Sequence, residues 1–479
     1  MRRTVMMAAL LVLSAGGCAA QETPTEQQAA GDVVRQIREM DRSLGVEAMV
    51  RKLTAPDAER DRVIARVNEL MQTDLLSMTD WITNHPEIGF TETQAVAKLT
   101  DYLKAHDFDV TVGVANLPTA FVARYRRGTP GPNLGVILEY DALRGTKGPF
   151  HGDQHSAQGP VGMAAAIAVS EFLTRTRTPG TVTVYGTPGE EMMPPEAKTQ
   201  MLDAGIFKGA DVIVRSHSTM ATSRPAPGFG TCCMNIDGAK YTFYGAPAHE
   251  LTAWNGRNAL EAVMKLFTNI DSIRANIRPE ARIEGVITQG GAAPNVVPDK
   301  TQADFYIRYP DSVYLDQVTR WVDDAARAAA LATGTKVVID HYGHDRDGIS
   351  VASLAELDFA YMKQFGATGV IAEPGKPQGF EETGSVSSVI PGIGVTAKSS
   401  NYSNHTYGML ADALTDVGHH GFLIDAETEA AILYDFATHP ELREAVHTEF
   451  TRTQALFQQY QSELQKAYPV PQVTTPESK

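Results

Sequence analysis

Five residues with metal-binding side chains, Asp153, His155, Glu191, His217 and His405, each follow closely on a segment that reads as a β-strand. Imidazole and carboxylate together, with no cysteine beside them, suit zinc or a similar divalent ion at about 2.0–2.2 Å. Five protein donors are too many for one tetrahedral ion with an open position, but enough for two ions if a carboxylate bridges them. Two ions ~3.5–4 Å apart can polarise a carbonyl and hold a hydroxide at neutral pH. Glu190, next to Glu191, is then free for proton transfer, taking a proton from the attacking water and handing it to a leaving amine. These are the requirements of amide hydrolysis.

The elements that must position these residues are strands expected over 120–125, 134–139, 181–186, 211–215 and 390–397, alternating with helices over 93–105 and 161–174. Apolar strands alternating with helices predict an α/β fold, a mainly parallel sheet flanked by helices. Asp141 and the stretch His151-Gly152-Asp153-Gln154-His155 follow the 134–139 strand, Glu190-Glu191 the 181–186 strand, and His217 the 211–215 strand. Asn404-His405 comes after the 390–397 strand and a polar loop. Open α/β sheets bind ligands at these carboxyl ends. Singly, an Asp or His in a loop is more often a turn former and a Glu-Glu pair is usually surface; the shared placement is what selects this group. Between 234 and 345 the texture changes to two strand-helix-strand groups, which suits a small α+β domain inserted into the larger one. The catalytic domain is then expected over 33–233 and 346–470.

The chain has 479 residues, 43% hydrophobic and 21% charged, with a formal charge of -15. That balance argues against nucleic acid or an anionic membrane surface as a main partner. Cys18, Cys232 and Cys233 cannot form a disulfide framework. Arg2 and Arg3, an apolar run over 5–13 and a small-residue ending before Cys18 read as an export signal over 1–17. The ending resembles a bacterial lipobox, so Cys18 is the expected lipidation site and the only membrane attachment, with a polar tether over 18–32. The expected location is the periplasmic face of a bacterial membrane, or the periplasm itself. No G-x-S-x-G elbow occurs, and His249-Glu250 lacks the second histidine of H-E-x-x-H.

Six motifs, His85-Pro86-Glu87-Ile88-Gly89-Phe90, Glu139-Tyr140-Asp141-Ala142-Leu143, Gly186-Thr187-Pro188-Gly189-Glu190-Glu191, Ala248-His249, Asn295-Val296-Val297-Pro298-Asp299 and Asn404-His405-Thr406, occur in this order. With them the chain resembles the dinuclear-metal amidohydrolases and peptidases that include aminoacylase, glutamate carboxypeptidase, indole-acetyl-amino-acid hydrolase and p-aminobenzoyl-glutamate hydrolase. It is most similar to the last two. That branch usually carries His-x-Cys-Gly-His with a bridging cysteine, whereas here Asp153 stands in the cysteine's place. Thr383-Gly384-Ser385 likewise replaces an acidic segment.

The resemblance implies Glu190 as general base and acid, with His155, Glu191, His217 and His405 as terminal ligands. Asp153 bridges, and Asp141 orients a ligand from behind. Zinc is the expected metal, and manganese or cobalt fit the same donors. The inserted domain is expected to be ferredoxin-like, to cover the site and to make a homodimer, with His249 crossing into the neighbouring subunit, Asn295 nearby, and Arg308 gripping a substrate carboxylate. The reading is a metallo-amidohydrolase of N-acyl or N-aroyl amino acids or small peptides. The rivals are a dipeptidase or carboxypeptidase acting on free-amino peptides, and a catalytically silent binding protein.

Overall fold

The computed structural model describes residues 24–192, 197–222, 228–230, 234–346, 348–369 and 384–468. The export signal, Cys18 and the Cys232-Cys233 pair lie outside these residues. The strands run β1 (Asp109–Val112), β2 (Phe121–Arg127), β3 (Asn133–Leu138), β4 (Gly180–Gly186), β5 (Val212–Ser216) and β6 (Gly228–Gly230). They continue as β7 (Asn235–Tyr244), β8 (Arg282–Gln289), β9 (Lys300–Tyr309), β10 (Lys336–Asp345), β11 (Gly348–Ser350) and β12 (Gly392–Val395).

The main sheet has the order β1-β2-β4-β3-β5-β12. β4, β3, β5 and β12 are mutually parallel, and β1 and β2 add an antiparallel edge. In β3 every residue from Leu134 to Leu138 is buried, the continuous apolar run of a strand covered on both faces. Helix His155–Thr176 crosses one face and is buried along almost its whole length. It packs this closely because Gly162 lacks a side chain: a Cβ there would meet Leu138 at 2.4 Å and Val136 at 2.7 Å.

The second sheet, β10-β7-β9-β8, is antiparallel throughout. Helix Ala259–Arg274 connects β7 to β8, and helix Ser312–Thr333 connects β9 to β10. This βαββαβ order is the expected ferredoxin-like insert. Both helices lie on one face and close a separate core around Tyr241, Phe243, Leu266, Phe305, Leu315 and Val322. β9 alternates strictly, with Ala303, Phe305, Ile307 and Tyr309 buried and Asp304, Tyr306 and Arg308 half-buried on the opposite face. One face of this sheet is therefore core and the other polar.

The expected tether over 18–32 is corrected in part: from Pro24 the chain is helical, in helix Pro24–Leu44. Val33, Ile37 and Met40 are buried, and the helix packs along the last one, Pro440–Ala467. The helix expected over 161–174 starts earlier, at His155, and the strand expected over 390–397 narrows to Gly392–Val395.

Candidate active site

Four strand ends of the main sheet converge. β3 leads into Glu139 and Asp141, β4 into Glu190 and Glu191, and β5 into His217, whose backbone N–H donates to Val395 of β12 at 3.0 Å. His155 opens its helix behind Gln154, which takes the left-handed conformation at φ 57°. The Gln154 side chain ties this turn to the loop after β12, donating to the Met409 carbonyl at 2.7 Å and accepting from Ser399 at 2.9 Å. His405, also left-handed, is brought in by its own N–H, which donates to the Gly152 carbonyl at 3.0 Å.

Candidate ligand atoms gather in three overlapping groups, each within 4.8 Å: Asp153, His155 and His217; Asp153, Glu191 and His405; and His155, Glu190 and Glu191. Asp153 is common to the first two. Its Oδ2 lies 2.9 Å from His405 Nε2, and Glu191 Oε2 is 3.7 Å from the same nitrogen. Asp141 Oδ1 sits 3.1 Å from His155 Nδ1, and Asp141 Oδ2 accepts the Glu191 N–H at 2.8 Å. One carboxylate thus fixes the ring of one candidate ligand and the backbone of another.

Three buried atoms in the cluster have no hydrogen-bond partner: Asp153 Oδ1, His155 Nε2 and Glu191 Oε1. Buried polar atoms are normally satisfied, so donors left open toward one another fit metal coordination. The charges agree. Burial, opposed by His155 and helped by the Glu190 and Asp153 charges, pushes Glu191 up to about 10. Burial and the Glu139 charge push Glu190 up to about 7. Against its burial, the hydrogen bond to His405 and the neighbouring histidines hold Asp153 below the usual carboxylate range. A divalent cation relieves this crowding of carboxylates.

Several supporting residues have no role that their sequence context announces. Glu139 is fully buried and accepts from Arg215 Nη2 at 2.5 Å, Lys198 Nζ at 2.7 Å and Gln158 Nε2 at 3.1 Å. Despite its burial, these two cations hold it well below the carboxylate range. Glu92, buried, accepts the Gly189 N–H at 2.9 Å and the Thr119 hydroxyl at 2.7 Å, so it fixes the turn that carries Glu190. Gly189 needs its φ of +68°, and the Phe90 ring lies where a side chain would be. His151 is buried, and burial followed by the His155 charge lowers it to about 3, leaving it neutral.

The remaining candidates stand apart. His249 is exposed, its Nδ1 accepting from the Leu251 N–H at 3.2 Å and lying 2.9 Å from Glu250. Asn295 is exposed in the loop before β9, where its carbonyl accepts from the Glu250 N–H. Arg308, on the polar face of β9, lies within electrostatic reach of Glu190.

A mainly parallel sheet with a carboxylate–imidazole cluster at its strand ends, and a ferredoxin-like insert whose Arg308 lies within electrostatic reach of Glu190, define a metallohydrolase of the α/β class. The model of the peptidase dimerisation domain of the M20 family matches residues 234–333. The Xaa-Arg dipeptidase of Homo sapiens is 31% identical over 396 residues, covering 78% of this chain and 88% of the human one. A p-aminobenzoyl-glutamate hydrolase chain of Escherichia coli is 33% identical over 276 residues, 54% of this chain and 56% of that one. In fold, a dinuclear metal binding peptidase from the M20 family of Bacillus subtilis superposes with a TM-score of 0.51 at 16% identity, covering 76% of this chain and 99% of that one. The chain belongs to the M20 family of metallopeptidases and amidohydrolases. It is an enzyme, a metal-dependent hydrolase of C–N amide bonds.

Proposed function

We propose that this enzyme hydrolyses the amide bond of N-acyl or N-aroyl amino acids or small peptides whose leaving residue carries a free carboxylate. Asp153, His155, Glu191, His217 and His405 would hold two divalent ions, zinc foremost, Asp153 being common to two of the candidate groups. The observation that carries this assignment is the set of open, buried donor atoms on Asp153, His155 and Glu191. When bound, the ions polarise the scissile carbonyl and acidify water. Glu190 takes the proton of the attacking water and returns it to the amide nitrogen as the C–N bond breaks. Its place beside the cluster, 4.0 Å from His155 Nε2, supports that role. Asp141 keeps His155 oriented, and Arg308 offers a planar fork to the substrate carboxylate.

The match to a dimerisation domain supports a homodimer. His249 and Asn295, exposed in their own subunit, would complete the partner's site. The charged, apolar and small-residue sections before Cys18 support export and a lipid anchor facing the periplasm. No described helix is long and apolar enough to cross a membrane. A second reading, a dipeptidase of free-amino peptides, is favoured by the likeness to the human Xaa-Arg dipeptidase. A screen of N-acyl amino acids against the matching dipeptides separates the two.

The mechanism is tested by dividing the neighbours. Glu190→Gln is expected to lose on the order of 10²–10⁴ in kcat with unchanged metal content, and Glu191→Gln to lose metal. If the two variants exchange these behaviours, the assignment is wrong.

A further inference from the structure

The motif His85-Pro86-Glu87-Ile88-Gly89-Phe90 contributes to none of the three groups of candidate ligands, yet it lies against the two motifs that supply Asp141 and Glu190. Ile88 bridges to Ala142, the neighbour of Asp141, and the Glu87 carbonyl accepts the Ala142 N–H at 2.9 Å. On its other side the segment meets the turn Pro188-Gly189-Glu190-Glu191. A Cβ on Gly89 would stand 2.6 Å from Gly189 Cα, and the Phe90 ring occupies the place of a Gly189 side chain. The segment is thus wedged between the strand end that carries Asp141 and the turn that carries Glu190.

Glu92 follows this motif and opens helix Thr93–Ala105, at the position where a polar side chain ordinarily caps its own helix. It makes no such hydrogen bond. Glu87 does so instead, accepting from the Gln94 N–H at 2.9 Å and the Ala95 N–H at 3.0 Å. Glu92 turns inward and is completely buried, with Oε1 accepting the Gly189 N–H at 2.9 Å and Oε2 the Thr119 hydroxyl at 2.7 Å. Thr119 is held in turn at its carbonyl by the Tyr140 hydroxyl, at 2.7 Å, and Tyr140 adjoins Asp141. Glu92 forms no ion pair among the described residues. A buried carboxylate without a counterion costs stability, so what Glu92 contributes is placement.

The turn is held from both sides. Glu92 takes the N–H of the residue before Glu190, and Asp141 Oδ2 takes the N–H of the residue after it, at 2.8 Å. Asp141 thereby serves the candidate metal ligand Glu191. Glu92 acts on Gly189, whose left-handed φ of +68° sets the direction in which the chain enters Glu190. We infer that Glu92 is a positioning residue for the general base: through the Gly189 N–H it keeps the Glu190 carboxylate beside His155, 4.0 Å from Nε2, from a buried place behind the turn. This rests on the reading of Glu190 as the group that moves the proton.

Kinetics on the metal-loaded enzyme test it, with N-benzoyl-L-glutamate and L-alanyl-L-arginine as substrates. Glu92→Ala is expected to lower kcat by about 10–10², the effect of displacing a catalytic group by about 1 Å, with KM and bound metal unchanged. Glu92→Gln keeps an oxygen acceptor for the Gly189 N–H, and the Thr119 hydroxyl can turn to accept from the new amide, so the expected loss is under about fivefold. Because Glu92 acts through Glu190, adding Glu92→Ala to Glu190→Gln is expected to lower kcat by no more than about twofold further, whereas independent structural damage would multiply. Thr119→Val, which removes the hydroxyl that aims Glu92 and keeps the shape, serves where Glu92→Ala does not fold, with an expected loss of about three- to tenfold in kcat.

Crystal structures of the same variants give a readout independent of activity. In Glu92→Ala, or in Thr119→Val where it stands in, the Glu190 carboxylate is expected to leave its place beside His155, and in Glu92→Gln to keep it. An unmoved Glu190 carboxylate, a loss of metal like that expected of Glu191→Gln, or a double variant whose losses multiply overturns the positioning role. If Glu190→Gln alone leaves kcat intact while Glu92→Ala still displaces the Glu190 carboxylate, the positioning stands and the general-base reading falls. If the wild type turns over neither substrate, the structures decide.

Discussion

Glu139→Gln is the sharpest test of how the main sheet supports the cluster. The native carboxylate is fully buried between Arg215 and Lys198, themselves nearly inaccessible, and also accepts from Gln158. Glutamine keeps the volume and one acceptor oxygen but removes the charge that Arg215 and Lys198 share. Removing one partner of a buried ion pair costs about 3–5 kcal/mol. The cost is not doubled for two cations, because Glu429 also lies within electrostatic reach of Arg215 and can ionise to recover part of it.

The expected loss is therefore about 3–5 kcal/mol in equilibrium denaturation, read as a lower midpoint at unchanged slope. The measurement belongs on metal-stripped protein, so that altered metal affinity does not add to it. In a double-mutant cycle, Glu139→Gln with Arg215→Met is expected to cost clearly less than the two single changes together. A single-variant loss under about 1 kcal/mol, or strict additivity within about 0.5 kcal/mol, would refute the pairing argument.

Other consequences can be checked separately. Asp153→Ala is expected to lower bound metal below one ion per chain, and metal analysis still finding two ions would disprove the bridge; Asp153→Cys should keep some activity with altered metal preference. Burial, opposed by Arg215, pushes Glu429 up to about 8, so between about pH 4.5 and 8 the folded state holds a proton that the unfolded state has lost, and stability falls as pH rises through that window. Glu429→Gln should flatten that slope in denaturation at pH 5 and 8, and an unchanged slope would show the group to be ordinary. If His249 serves the partner's site, His249→Ala and Glu190→Gln chains mixed as dimers should recover up to about a quarter of wild-type activity, since half the dimers are mixed and each has one intact site. No recovery in dimers verified to have exchanged subunits would place His249 in its own chain's chemistry or in packing.

What can be read from the amino-acid order follows from which interactions are local. The ligand candidates are legible because each sits a few residues behind an apolar run, and a parallel strand buried on both faces is the strongest short pattern in this chain. Glu139 is visible as a letter of a motif but not as an ionic hub. Its partners Lys198 and Arg215 lie 59 and 76 residues away, and nothing near them in sequence marks the pairing. Only the first turns of helix Pro24–Leu44, inside the expected tether, escape, and for the opposite reason, since from Val33 onward the pattern reads as helical. Its apolar stripe Val33, Ile37 and Met40 is present at helical spacing, but the glutamines and threonines before it dominate the composition.

The inserted sheet joins both lessons. Its alternation of buried and polar positions predicts a face turned away from the helices, yet says nothing about where that face looks. The second strand-helix-strand group calls for a strand here, but its residues are not marked out by the amino-acid order; β10 supplies it and contributes Tyr342, whose hydroxyl donates to Asp304. Arg308 is found through a family resemblance, whereas the hydrogen bond between Tyr342 and Asp304 exists only once β10 is laid beside β7 and β9. Catalytic groups at strand ends are set by the connection immediately following each strand, so sequence exposes them. Contacts across the inserted sheet are set by which strands become neighbours, and this chain shows them only when folded.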